Sequence, residues 1–423
     1  MTERTQYDIV VVGAGPAGLG AAVEAARGGA RVCVVDQNPH LGGQIWRHRD
    51  PSVLPGHARR WLRRFARSGC DWIPNAGVAS VADDGGLLVN NMDGARRLRA
   101  GALILATGAR ERFIPFPGWT LPNVLGLGGI QALVKQGLDV RGRRVVLAGS
   151  GPLMLPVAAT LARRGARLLI VAEQASAGAL ARIAAGMWRT PSRIAQAVGY
   201  RVAFRTAAYK TGTWVVRAEG SDAVRSVTLT DGTRSWTLEC DLLGTGDGLV
   251  PNVELATLAG CVTQDGAIVV DAMQRTSVPW IFAAGECAGV AGQDVAVLEG
   301  RIAGLAACGR DGEARALRGA RDRARSRARR MLEAFALCPG VRARVTPETI
   351  ICRCEDVPAG ALDPDWTARE AKLVTRLGMG PCQGRVCGPA TCELMGWDAQ
   401  VVRPPVQPTR VGPLVDLLRE RRP

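Results

Sequence analysis

Residues 7–18 read YDIVVVGAGPAG, a short hydrophobic run that leads into a glycine-rich turn. The run predicts a buried β-strand, and the alanine-rich residues after the turn predict a helix. A second strand is predicted over residues 30–35, and it ends on Asp36, 23 residues after Gly13. Strand, glycine turn, helix, strand and acid in this order indicate a dinucleotide-binding fold.

The glycine turn has a mechanical role at each position. Gly13 allows the tight turn, Gly15 lets the backbone approach a pyrophosphate, and Gly18 lets helix and strand pack closely. The N-terminus of the helix then faces the phosphates, while Asp36 can accept hydrogen bonds from a ribose. We therefore predict a first nucleotide site formed by Gly13, Gly15, Pro16, Ala17, Gly18, Asp36 and Gln37.

Three later segments are predicted to line the same site. Residues 41–44 read LGGQ, where the glycines let the backbone pass close to a flat ring that the Gln can hydrogen-bond. A predicted strand at residues 102–105 runs into a turn of small residues, and an apolar strand near residue 281 ends in a glycine and an acid. The residues predicted to contact the ligand are Gly43, Gln44, Ala106, Thr107, Gly108, Gly285 and Glu286.

The first pattern repeats from residue 144. A strand is followed by Gly149, Gly151 and Pro152, and a later strand ends on Glu173, 24 residues after Gly149. This repeat predicts a second nucleotide-binding fold. Met154 stands in place of the third glycine, which should push the helix and the strand apart. We predict that the second pocket is altered or empty.

Four cysteines near the C-terminus stand in two close pairs. Cys352 and Cys354 form a C-x-C arm, and after 27 residues Cys382 and Cys387 form a C-x4-C arm. Neither arm has the C-x2-C spacing usual for structural zinc, which favours a [2Fe–2S] cluster. Zinc and four unconnected buried thiols are the alternatives.

The composition fits an α/β protein of two or three domains. The chain has 423 residues, of which 47% are hydrophobic and 52 are glycine. We find no uncharged apolar run of about 18 residues and no secretory signal. We therefore predict a cytoplasmic protein, with the inner face of the cell membrane as the alternative location. Twelve cysteines then indicate reduced thiols and ligands, and not a disulfide framework.

The formal net charge of +16 comes almost wholly from arginine, because only Lys135, Lys210 and Lys372 are lysines. A composition so uneven indicates codon usage, and we predict no nucleic-acid partner. The one dense basic block spans residues 310–330, with apolar residues at helical spacing. It predicts an amphipathic helix with a solvated arginine face; docking on an acidic partner or peripherally on the membrane is the alternative.

Together these motifs resemble the two-dinucleotide-domain flavoproteins of the glutathione reductase type. That resemblance implies one FAD site, built from the first glycine motif and the late Gly285–Glu286 motif, with the second nucleotide domain inserted between them. The redox-active cysteine pair that such enzymes carry beside the flavin is missing here. Disulfide reductase activity is therefore not expected.

A more specific resemblance rests on residues 116–122 (FPGWTLP), residues 246–252 (GDGLVPN) and the four cysteines. It is to the α subunits of opine oxidases, hydrogen cyanide synthase and D-hydroxyproline or dye-linked proline dehydrogenases. The resemblance implies a β subunit of the D-amino-acid oxidase type, itself an FAD protein, that oxidises the substrate. Further components it suggests are FMN at a subunit interface, ATP or NAD in the second nucleotide domain, and a small ferredoxin-like γ subunit.

The predicted architecture is α/β, with two Rossmann-like domains and a small C-terminal BFD-like [2Fe–2S] domain. The predicted divisions are an FAD domain (1–115 and 245–310), a second nucleotide domain (116–244), a basic helical connector (311–345), a cluster domain (346–400) and a tail (401–423). The leading function is electron transfer within a heteromeric amino-acid or opine dehydrogenase. The alternatives are a stand-alone NAD(P)H-dependent reductase and a non-catalytic nucleotide-binding scaffold. No catalytic residue is predicted, because the substrate pocket is expected on the partner.

Overall fold

The structure is a computed structural model that describes residues 5–46, 52, 54–82, 84–91, 94–186, 191–398, 402–412 and 415. The chain forms two compact units. One comprises Met1–Arg110, Val250–Ala328 and Val402–Pro423, and the other Glu111–Leu249 and Arg329–Val401. The residues of the predicted cluster domain therefore belong to the same unit as the second nucleotide fold. The finer five-part division remains a prediction, and its tail lies partly outside the described residues.

The chain opens with β1 (Gln6–Val12), α1 (Pro16–Arg27), β2 (Val32–Val35), α2 (Gly43–Trp46), α3 (Gly56–Ala66), β3 (Asp71–Ile73), β4 (Gly77–Val81), β5 (Gly86–Asn90), β6 (Ala95–Leu105) and β7 (Ala109–Glu111). It continues with β8 (Val124–Gly126), α4 (Leu127–Gln136), β9 (Arg144–Gly149), α5 (Met154–Arg163), β10 (Arg167–Glu173), α6 (Ala177–Gly186), α7 (Pro191–Ala203), β11 (Ala208–Thr211), β12 (Trp214–Glu219), β13 (Ser226–Thr230), β14 (Ser235–Glu239), β15 (Leu242–Gly246) and β16 (Leu249–Pro251). It ends with α8 (Glu254–Leu258), β17 (Thr263–Gln264), β18 (Ala267–Ile268), β19 (Ile281–Ala283), α9 (Gln293–Ala307), α10 (Asp311–Ala334), α11 (Pro339–Ala343), β20 (Ile350–Cys352), β21 (Val357–Pro358), α12 (Ala368–Thr375) and α13 (Cys387–Met395).

The sheet of the first unit has the strand order β3-β2-β1-β6-β5-β4, and β19 also pairs with β6. Strands β1, β2, β3, β6 and β19 are parallel, whereas β4 and β5 run antiparallel to their neighbours. Parallel strands with helical crossovers require cover on both faces, which explains the continuous apolar runs of β1 and β2. The carboxyl ends of β1, β2, β6 and β19 consequently lie at one edge of the sheet, where such folds bind their ligands.

Helices α1 and α9 pack unusually closely in this unit. A Cβ atom at Gly300 would overlap the carbonyl of Ala17, and one at Gly304 would overlap the carbonyl of Ala21. Glycine at these two positions, about one turn apart, lets the α9 backbone lie directly on α1. The contact belongs to a core that also contains Leu19 and Ile302, both fully buried.

The second unit contains a parallel five-stranded sheet of order β11-β10-β9-β15-β8 and an antiparallel meander β12-β13-β14. Helices α4, α5 and α7 contribute to a core against the parallel sheet. This is a second Rossmann-like sheet, as the repeated glycine motif predicts. No helix within the described ranges is both long enough and apolar enough to span a bilayer.

The predicted basic helix is α10, but its arginine face is not wholly solvated. Arg321 is 8% exposed and lies on the same inward stripe as Ala314, Ala324 and Ala328. The prediction of a solvated arginine face is therefore wrong at Arg321, because the folded chain supplies buried polar partners that a helical pattern cannot reveal.

A buried ion pair anchors the second unit. Arg344 follows α11 and lies 2.8 Å from Asp247, and both side chains are at most 2% exposed. Arg344 also donates to the carbonyl of Ile114 at 2.6 Å, and Asp247 accepts from the N–H of Ile114 at 3.0 Å. Ile114 and the residues around it are thereby held by a single ionic centre.

We expect Arg344→Met to destabilise the protein by about 3–5 kcal/mol, because it leaves the Asp247 carboxylate buried without its cation. Chemical denaturation monitored by circular dichroism measures this change in the free energy of unfolding. Arg318→Met, on the exposed face of α10, is the control and should change stability by less than about 0.5 kcal/mol. Equal effects of the two substitutions would contradict the prediction.

Candidate functional site

The first glycine turn joins β1 to α1 at the carboxyl edge of the first sheet. Gly13 has φ of +107°, a conformation that side chains disfavour. A Cβ atom at Gly18 would overlap the carbonyl of Gly13, so the helix lies directly against the turn. Helix α1 begins at Pro16 with Gly15 as its N-cap, and no side chain caps it. Its N-terminus can therefore receive an anion.

Asp36 follows β2 and faces this turn. Its Oδ2 accepts from the N–H of Ala14 at 2.5 Å, and its Oδ1 accepts from the backbone N–H and the side-chain amide of Asn38, each at 2.7 Å. Those contacts fix a largely buried carboxylate beside the position of a nucleotide ribose. Gln37, by contrast, is exposed and its side-chain amide donates to that of Gln407.

The other predicted segments are brought to the same edge. The N–H of Gly42 donates to the carbonyl of Ala14 at 2.8 Å, which places the segment containing Gly43 and Gln44 against the glycine turn. After β6, the N–H of Ala106 donates to the carbonyl of Val12 at 2.8 Å. These contacts bring residues far apart in sequence to one surface.

The turn at residues 106–108 is held by an asparagine. The hydroxyl of Thr107 donates to the carbonyl of Asn252 at 2.7 Å, and the Asn252 amide donates back to the carbonyl of Thr107 at 2.9 Å. This reciprocal pair fixes the backbone just before Gly108. The motif at residues 246–252 contains Asn252, but the sequence did not predict this contact.

The late glycine–acid motif meets the first glycine motif directly. Gly285 follows β19 with φ of +81°, and a Cβ atom there would lie 2.7 Å from the Cβ of Ala17. Glu286 begins a short 3-10 turn, and burial raises the pKa of its carboxyl while a hydrogen bond from the Gly292 backbone lowers it. The two motifs predicted to bind opposite ends of one dinucleotide are therefore adjacent.

The second glycine turn differs from the first in conformation. Its positive φ, +109°, falls at Gly151, the second glycine, whereas in the first motif it falls at Gly13, the first glycine. Helix α5 begins only at Met154, two residues later in the motif than α1. Met154 is 1% exposed and packs into the core in place of a glycine. The first turn of helix that would face a pyrophosphate is therefore absent from this motif.

Polar groups of the second motif are engaged within the unit. Glu173 accepts from the N–H groups of Gly151 at 3.0 Å and Ala175 at 2.9 Å, and burial raises its pKa to about 7. The hydroxyl of Ser150 donates to the carbonyl of Phe335 at 3.0 Å. The Gln174 amide, next to Glu173, donates to Ser150 at 2.8 Å. These residues bind their own chain in the positions where a nucleotide would need them.

The four predicted ligand cysteines come together as two contacting pairs. The sulfurs of Cys354 and Cys382 are 3.9 Å apart, and the thiols of Cys352 and Cys387 hydrogen-bond to each other. Burial raises the pKa of the Cys387 thiol, and the nearby Cys352 raises it further. Two sulfurs bound to one tetrahedral metal at about 2.3 Å lie about 3.8 Å apart, so the 3.9 Å spacing fits. Among the residues that the structure describes, no three or more metal-binding side chains already form a complete site.

Cys392 lies apart from these pairs. It is half-buried on α13, and burial raises the pKa of its thiol, with Asp398 as the nearest charge that adds to the effect. Its contacts therefore give no indication of a ligand role.

Comparison with known proteins decides the family. The family model described as "Pyridine nucleotide-disulphide oxidoreductase" matches residues 7–310. The chain belongs to this family. Members bind FAD, and the predictions of an FAD-dependent oxidoreductase and of an α/β fold with Rossmann-like sheets are confirmed.

Several relatives in this family match nearly the whole chain. An opine oxidase subunit of Rhizobium meliloti (strain 1021) is 33% identical over 462 aligned residues, covering 97% of this chain and 99% of the relative. Hydrogen cyanide synthase subunit HcnB of Pseudomonas protegens is 31% identical and covers 89% of each chain. The predicted resemblance to these proteins is confirmed at this level. Both relatives are named as subunits.

Solved structures show the same fold. The L-proline dehydrogenase of P. horikoshii superimposes with a TM-score of 0.71 at 20% identity, covering 97% of this chain and 80% of that one. The thioredoxin reductase of T. acidophilum gives 0.58 at 23% identity and covers 73% of this chain and 99% of that one. The first similarity extends beyond the residues that the family model matches.

Proposed function

We propose that this chain is the flavin and iron–sulfur subunit of a heteromeric amino-acid or opine dehydrogenase, and that it passes electrons from a partner FAD subunit to an acceptor. The observation that carries the proposal is the end-to-end match to the opine oxidase relative of Rhizobium meliloti, which covers 97% of this chain and 99% of that protein. A match over the full length supports the same role, because it includes the C-terminal cysteines as well as the nucleotide folds.

The geometry of the first unit supports FAD binding by the predicted residues. Gly13, Gly15 and the N-terminus of α1 would hold the pyrophosphate, and Asp36 would accept from the adenosine ribose. Glu286, beside α1, would bind the ribityl end. Bound FAD would supply a two-electron acceptor that can release electrons singly, whereas the residues of the chain orient it and exclude water.

The cysteine geometry supports a [2Fe–2S] cluster with a defined pairing of ligands. Cys354 and Cys382 would bind one iron and Cys352 and Cys387 the other, so each iron takes one ligand from each arm. The soft thiolates suit iron–sulfur chemistry, and a bound cluster would carry single electrons. Cys354 is exposed while Cys352 and Cys387 are buried, which would direct one edge of the cluster to the surface.

The partner proposed for this chain is an FAD protein of the D-amino-acid oxidase type, and a small ferredoxin-like protein is proposed to complete the complex. FMN at a subunit interface and ATP or NAD in the second fold are the remaining proposed cofactors. Purification from the native host tests the proposal, and we expect the FAD partner to copurify with this chain. Recovery of a single chain that lacks both flavin and cluster would favour the scaffold alternative instead.

We expect NADH and NADPH to be poor reductants of this protein, even if an adenine nucleotide binds the second fold. Met154 and the late start of α5 remove the helix turn that would face a dinucleotide pyrophosphate. Stopped-flow mixing with either nucleotide should show flavin reduction well below about 10 per second, a typical turnover rate.

A chemical control makes this measurement decisive. Dithionite should bleach the same flavin fully, which shows that the bound flavin can be reduced. Reduction by NADH or NADPH at about 10 per second or faster would show that the altered turn still binds the nucleotide, and would support the reductase alternative.

A further inference from the structure

Two arginines of α10 point inward, beneath the turn at residues 283–288 that carries the late glycine–acid motif. Arg321 is 8% exposed, and the Arg325 side chain is 32% exposed. They are one helical turn apart, so both face the same neighbour. The sequence alone suggests only a solvated basic helix here.

Arg325 reaches the turn through a buried glutamate of α9. Its Nε and Nη2 donate to Oε1 of Glu299 at 2.9 and 2.6 Å, and the other Glu299 oxygen accepts from the N–H of Gly285 at 3.0 Å. Arg325 also donates to the carbonyl of Ala288 at 3.1 Å, at the far end of the turn. One ion pair thus contacts both ends of the motif.

Arg321 contacts the same turn through Gln274. This fully buried amide donates to the carbonyl of Ala283 at 2.7 Å and accepts from Nη1 of Arg321 at 2.8 Å. The backbone of Gln274 also accepts from the N–H of Ala283 at 3.0 Å. The turn is therefore tied to α10 at its start as well as at its end.

The turn needs such support, because its backbone is strained. Gly285 has φ of +81° and ψ of −153°, a region populated almost only by glycine. The Glu299 carboxylate that holds it has no exposed surface. A buried carboxylate without a partner is strongly unfavourable, so the hydrogen bond to Gly285 depends on Arg325.

We propose that Glu299 and Arg325 are positioning residues for FAD, which hold the turn at residues 283–288 in its binding conformation from outside the site. This inference rests on the proposed function, in which Gly285 and Glu286 bind the ribityl-pyrophosphate end of the flavin. Neither positioning residue needs to touch the cofactor. Their effect is on the affinity for FAD.

Titration of FAD into the apoprotein of the full chain, followed by quenching of flavin fluorescence, tests the proposal. Arg325→Gln should weaken FAD binding by about tenfold or more, because it leaves the Glu299 charge unpaired beneath the turn. The control Arg318→Gln, on the exposed face of α10, should leave the dissociation constant within about twofold.

Rescue distinguishes positioning from general destabilisation. In the double variant Glu299→Gln with Arg325→Gln, the neutral amide can still accept from Gly285 and no buried charge is left unpaired. Its FAD affinity should return to within about threefold of the parent protein, a non-additive result. FAD affinity of Arg325→Gln within about twofold of the parent, or a double variant as weak as or weaker than the single, would overturn the inference.

A separate pair of variants tests the underlying FAD assignment. Gly285→Ala and Glu286→Gln change the motif itself and should both weaken FAD binding. If neither does, the proposed FAD site is wrong, whatever Arg325→Gln shows. If both do while Arg325→Gln binds normally, the FAD site stands and only the positioning role is lost.

Discussion

Single Cys→Ser changes at the four paired positions are expected to remove the iron from the purified chain, whereas Cys392→Ser keeps it. The parent protein should contain about one [2Fe–2S] cluster, with visible absorption beyond that of flavin. The paired cysteines are Cys352, Cys354, Cys382 and Cys387. Serine keeps the size of the side chain but replaces a soft thiolate by a hydroxyl, which iron–sulfur clusters accept poorly.

The pairing seen in the structure strengthens this expectation. Cys354 contacts Cys382 and Cys352 contacts Cys387, so the loss of any one sulfur leaves one iron with a single protein ligand. Iron and acid-labile sulfide analyses, together with the visible spectrum, provide the measurement. Cys392→Ser is a matched control in the same helix as Cys387. Stoichiometric zinc without sulfide in the parent protein would refute the cluster.

The second large effect concerns the division of labour between subunits. The isolated chain should not oxidise proline, hydroxyproline, glycine or opines with an artificial dye. Oxidation of an amine needs a pocket that fixes the substrate carboxylate, usually through arginine, beside the flavin ring. In this chain the FAD site is followed by a second nucleotide fold and the cysteine pairs, and we identify no such pocket in the described residues.

Coexpression with an FAD partner of the D-amino-acid oxidase type should restore dye reduction by about 100-fold or more. The restored activity should fall again when any of the four paired cysteines is changed to serine, while Cys392→Ser should retain it. Robust dye reduction by the isolated chain with any of these substrates would place the substrate site here. The roles of the two subunits would then be reversed.

Local constraints explain why the first nucleotide site could be predicted. The glycine spacing, the strand before it and Asp36 after β2 are all imposed by a single turn, so they can be read from one short stretch. Strands are predicted over residues 30–35 and 102–105, and the structure places β2 at Val32–Val35 and extends β6 from Ala95 to Leu105. The interior ends are correct because the buried residues define them.

Long-range polar contacts could not be predicted in the same way. Arginine is so frequent in this chain that a buried one has no distinguishing signal. Arg344, which pairs with Asp247 across 97 residues, and Arg325, which pairs with Glu299, depend on the folded arrangement of separate elements. The departure at Met154 is visible in the sequence, but the shift of the positive φ to Gly151 depends on the backbone conformation.

The close packing of α1 and α9 has a consequence for how substitutions in this protein should be interpreted. At Gly300 and Gly304 any side chain would enter the space of the α1 backbone, so a mutational scan should accept almost nothing but glycine there. Such intolerance would ordinarily suggest a role in chemistry. It instead reflects the distance between two helix axes, and a map of the active site drawn from mutational tolerance alone would be misplaced along α9.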